Sequence, residues 1–85
     1  MIDSNQNPVE WPLLLYELAD AEEHLHNLIN QMNKAGRIDD EDYRVQIGHI
    51  YSHLNQAWNS RSRKGEQTEE PFESETRFPS DIKPI

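Results

Sequence analysis

The amino-acid sequence predicts an all-α chain: an antiparallel two-helix hairpin, coiled-coil-like, that dimerises to a four-helix bundle and ends in a disordered acidic tail. Three observations predict it. Apolar residues recur at helical spacing through two separate stretches. A polar turn too short to allow anything but chain reversal lies between them. Beyond residue 64 the periodicity stops and proline and acidic residues take over. The expected division is a flexible N-terminus over 1–8, a hairpin over 9–64 with helices at about 9–35 and 40–63, and a tail over 65–85.

The first helix follows from a heptad. Trp11, Leu18, Leu25 and Met32 fall at one core position, and Leu14, Ala21, Leu28 and Ala35 fall at the other. Leu15 and Ile29 widen this stripe. Pro8 and Pro12 sit at its mouth, where a missing N–H costs little. Glu10, Glu17, Asp20, Glu22 and Glu23 crowd the first half and Lys34 comes late, as the helix macrodipole favours. Gly36 is placed to end the helix in a left-handed conformation.

The second helix begins after Asp39, a carboxylate suited to cap free N–H groups of the first turn. Ile38 and Tyr43 flank this cap at the positions of a hydrophobic staple. Tyr43, Ile47, Ile50, Leu54 and Ala57 then form the apolar stripe, and Tyr51 and Trp58 widen it on one side. Arg61, Arg63 and Lys64 suit the negative end of the helix dipole, and Gly65 closes it. Gly48 sits on the outer face and costs about 1 kcal/mol relative to alanine. Folding the chain back about residue 37 sets Met32 near Tyr43, Leu25 near Ile50, Ala21 near Leu54, and Leu18 near Ala57 and Trp58.

Two helices bury a single seam, and these stripes are wider than one seam. The expected interface is therefore Trp11, Leu14, Leu15, Leu18, Leu25, Ile29, Ile47, Ile50, Tyr51, Leu54 and Trp58. Part of this set is left for a second copy of the chain to cover. Tyr16 lies opposite the seam and is a candidate for contact with a different protein. In the tail, Phe72, Phe78, Ile82 and Ile85 are apolar anchors without period, suited to a segment that orders on binding a protein partner.

Charge and composition narrow the function classes. The formal charge is -8, which disfavours binding to nucleic-acid phosphates or to anionic lipid. Clustered acids allow a second reading, an acidic inhibitor that imitates nucleic acid, although capping physics already accounts for acids at helix starts. Cysteine is absent, so disulfides and thiolate metal sites are excluded. No basic n-region or long apolar run points to a secretory signal or a membrane span, so a cytoplasmic setting is expected. Three glycines and no phosphate loop, nucleophile elbow or enclosed carboxylate pair leave no catalytic apparatus to read. No cofactor is expected, and the expected class is a non-enzymatic interaction or regulatory module.

One constellation carries metal chemistry. Asp20 and His24 are four apart on the first helix, and His49 and His53 are four apart on the second. In the antiparallel register both pairs fall on one flank of the seam at similar heights. Nitrogen and oxygen ligands on two facing helices suit zinc. A solvated flank of ordinary histidines is the plainer reading of the same residues, and a pH-sensitive interface is an intermediate one. The sequence lacks the glutamate of the H-E-x-x-H protease motif.

Overall fold

A computed structural model describes residues 1–61 and 75–85. Among them, two helices, α1 (Glu10–Ala35) and α2 (Asp40–Asn59), pack side by side. The bridges Glu17–His53, His24–His49 and Gln31–Asp42 pair early α1 with late α2, which makes the helices antiparallel.

The turn is built as the side-chain chemistry requires. Gly36 adopts φ 68°, and its N–H donates to the Met32 carbonyl at 2.8 Å, closing α1. The Asp39 carboxylate accepts from the Glu41 N–H at 3.1 Å, and its carbonyl accepts from the Tyr43 N–H at 2.9 Å. Three acids then occupy the first turn of α2, against its positive dipole end.

A local turn precedes α1. Asp3 Oδ1 accepts from the Asn5 N–H at 2.6 Å, and the Asn7 N–H donates to the Asp3 carbonyl at 2.7 Å. The Asn7 carbonyl then accepts from the Trp11 N–H at 2.9 Å. A short side chain that bonds its own backbone two residues on is the usual means of shaping such a turn. Asn7 is buried as a result.

The core is small. Ala21, Leu28 and Ile50 are its buried apolar members, with Ile38 and Ile47 packed against them. The seam on α1 is therefore centred on the heptad position of Ala21 and Leu28. The other expected core position, Trp11, Leu18, Leu25 and Met32, stands beside the seam and is exposed. The periodicity placed both sets on one face, but only the set of Ala21 and Leu28 enters the seam.

Residues 75–85 lie back along α2, where the sequence suggested disorder. Asn55 Nδ2 donates to the Thr76 carbonyl at 2.8 Å, and Asn59 Nδ2 donates to the Glu75 and Arg77 carbonyls at 2.7 and 3.0 Å. Trp58 Nε1 donates to Asp81 Oδ1 at 2.8 Å, and the Phe78 ring meets Tyr51 edge-on at 5.3 Å. Side-chain amides on the outer face of α2 thus supply the partners that an extended backbone needs, a signal that apolar periodicity does not carry. Helix α2 ends at Asn59, short of the expected 63. Arg61 does not extend it: its guanidinium stacks 3.5 Å over the Trp58 ring and reaches Asp81. Arg63, Lys64, Gly65 and the anchor Phe72 lie outside the described residues.

Candidate functional site

The two flanks of the seam differ in chemistry. One is polar and cross-linked between the helices. Near the turn, Gln31 Nε2 donates to Asp42 Oδ2 at 3.1 Å, and Gln46 Nε2 donates to Gln31 Oε1 at 2.9 Å and to Asp42 Oδ1 at 3.0 Å. These bonds, from Gln46 first and Gln31 second, hold the Asp42 carboxyl below its ordinary value.

Further along the same flank stand three histidines. His24 comes from α1, and His49 and His53 come from successive turns of α2. The Nε2 atoms of His24 and His49 are 3.1 Å apart, and those of His49 and His53 are 3.3 Å apart. The rings of His24 and His53 are nearly parallel, and the His49 ring stands at 85° to one and 87° to the other. His53 turns its other nitrogen, Nδ1, to Glu17 Oε1 at 3.0 Å. Both Glu17 and His53 side chains are 18 % exposed, and Glu17 Oε2 is buried with no hydrogen-bond partner.

A ring nitrogen offers either one N–H or one lone pair, so the His49 Nε2 atom cannot make two well-directed bonds to two neighbouring ring nitrogens. Partial desolvation pulls the His49 imidazole below its ordinary value, and charge on His24 and His53 adds to this against an opposing Asp20. The cluster is thus three ring nitrogens crowded together, with the His49 imidazole disfavouring the proton.

The sequence reading named Asp20, His24, His49 and His53 for this flank. The structure draws His24, His49 and His53 into one group whose ligand atoms lie within 4.8 Å of one another. Asp20 stands instead with Glu17 and His53 in a second, overlapping group. Glu17 was missed because acids early in a helix are accounted for by the dipole. Its signal was positional: Glu17, Asp20 and His24 recur at spacings of three and four and so share a stripe.

The opposite flank is apolar. Trp11, Leu15, Leu18, Leu25, Ile29 and Met32 form an exposed stripe on α1, and Tyr43, Tyr51 and Leu54 stand exposed on α2. Leu18, Leu25 and Ile29 retain 47 %, 45 % and 49 % of their surface in water. Of the other expected interface residues, Ile50 is buried in the seam, while Leu14, Ile47 and Trp58 are half-buried. The C-terminal segment and Arg61 cover Trp58 in part. Phe78, Ile82 and Ile85 of the tail are exposed, as is Tyr16. Among the described residues, no helix is long and apolar enough to cross a membrane.

No family model matches this chain, and neither a curated protein nor a solved structure was found to be similar to it.

Proposed function

We propose that this chain is a non-enzymatic association module that pairs with a second copy of itself through the apolar flank of the hairpin, forming a four-helix bundle. The carrying observation is the exposed row Trp11, Leu18, Leu25 and Met32, broadened by Leu15 and Ile29 along α1. A contiguous apolar face of this kind on a small acidic chain marks an interface. Its length matches a partner helix laid alongside, and a twofold axis makes such a face its own complement. Few charges interrupt it: Glu22 is the acid that falls within the row, and the remaining acids of α1 lie on the other sides.

With three buried apolar residues among the described ones, the hairpin has little core of its own, and association is a common way for small helical units to gain one. In this reading the C-terminal segment, which meets the α2 edge of the joint where Phe78 packs on Tyr51, and Tyr16 on the other side of α1 face a further protein partner. Light scattering coupled to size exclusion tests the pairing across a concentration series of the full chain. A dimer that dissociates on dilution supports it. A monomer at every concentration, unfolding cooperatively, overturns it.

A further inference from the structure

We propose that His24, His49 and His53 form a binding site for a single divalent transition-metal ion of the zinc class, with Glu17 as the positioning residue that orients His53. This goes beyond self-association, since the site is built within one hairpin and on the flank opposite the proposed joint.

The geometry carries the proposal. Zinc holds imidazole nitrogens at about 2.0–2.1 Å, so two such ligands in tetrahedral array stand about 3.3 Å apart. Of the three separations, the two from His49 Nε2 are 3.1 and 3.3 Å, and all three ligand atoms lie within 4.8 Å of one another. One cation replaces contacts that the ring nitrogens cannot satisfy among themselves, because each directs a lone pair to it. The donor set is three imidazoles, the borderline nitrogen ligands that zinc, nickel and copper prefer over calcium or magnesium.

Glu17 supplies the second feature. A metal-bound histidine ordinarily donates its other N–H to a carboxylate, which fixes the tautomer and the ring. Glu17 Oε1 stands 3.0 Å from His53 Nδ1, which leaves Nε2 as the lone-pair nitrogen on the side of His24 and His49. The buried Glu17 Oε2, without a protein partner, is an acceptor for water carried with the ion. Three protein ligands leave a fourth position for water or for Asp20, whose carboxylate belongs to the adjoining group.

Because the ligands come from both helices, the ion acts as a clasp across the seam. Binding to the folded hairpin and not to the unfolded chain raises the melting temperature, by about 10–20 °C at a hundredfold excess of metal over Kd.

The test uses the full chain. Cobalt(II) is titrated in as a spectroscopic stand-in for zinc, and zinc binding is followed by calorimetry. The expected result is one ion per chain, with the intense visible bands of four-coordinate cobalt. The variants H24A and H49A should each lose at least tenfold in affinity, whereas H26A, a histidine bonded to Asn30, should lose none. E17Q should keep the visible bands and weaken affinity about tenfold, the loss of an orienting partner. Circular dichroism confirms that each variant remains helical.

Four outcomes overturn the proposal. They are an absence of cobalt bands in the unsubstituted chain, equal losses for H26A and H49A, unchanged affinity in E17Q, and one ion per two chains. The last places the ion between protomers and not within the hairpin. Repeating the titration with a chain made monomeric by substitutions on the apolar flank separates failure of this site from failure of the dimer.

Discussion

Replacing Leu18 and Leu25 together by glutamine perturbs the apolar flank without touching the seam. Both side chains sit on the outward row of α1 and retain 47 % and 45 % of their surface. Fully burying a leucine is worth about 1.5–3 kcal/mol, so the half still exposed has about 1 kcal/mol left to gain. A twofold dimer buries each residue twice, so the double substitution removes about 4 kcal/mol of association energy, a factor of about a thousand in Kd. Glutamine is a good helix former and adds no charge, which keeps α1 intact and the electrostatics unaltered. Sedimentation equilibrium of the parent and the double variant, at matched salt, reads the change. A Kd within threefold of the parent, with unchanged helical content, would refute the assignment of this face as the joint.

Other predictions test the frame around that face. Leu28→Ala removes the most buried apolar side chain among the described residues, 2 % exposed, and should cost about 2–5 kcal/mol, enough to unfold the hairpin in thermal circular dichroism at low concentration. A mild shift of a degree or two would place the core elsewhere. Gly48→Ala should raise stability by about 1 kcal/mol in urea, since an added Cβ meets nothing within 4 Å and helix propensity is gained; a loss would mean that this face is covered. The Asp81 carboxyl is held below its ordinary value first by the Trp58 N–H and further by Arg61, with burial opposing. Its charged form is favoured when docked, so docking is at full strength above the ordinary carboxylate value and weakens as pH falls through the lowered one. Trp58 fluorescence in a Trp11→Phe background should show this acid step, and Asp81→Asn should abolish it.

Much of the frame was legible because helices advertise themselves locally. The boundary at Ala35–Gly36 and the Asp39 cap follow from the chemistry of neighbouring residues, and both stand where the sequence placed them. Chain reversal follows from a turn too short to do otherwise. The histidine flank was legible in outline, since spacing of four puts His49 with His53 and antiparallel register brings them opposite His24.

What the sequence determined by itself, then, is that there are two helices, where α1 stops and α2 starts, and that the two run antiparallel. Each of these depends on interactions spanning a few residues. Only the tertiary structure decided which of two equally apolar heptad positions enters the seam. Leu28 and Leu25 are the same residue type three positions apart, and the packing of α2 buries the first and leaves the second half in water. The same packing gave the His53 hydrogen bond to Glu17, with Asp20 close by, and brought three histidine rings together. The C-terminal segment was decided there too. Its backbone is held by Asn55 and Asn59 from across 16 to 21 residues of chain, a distance over which a local pattern carries no record.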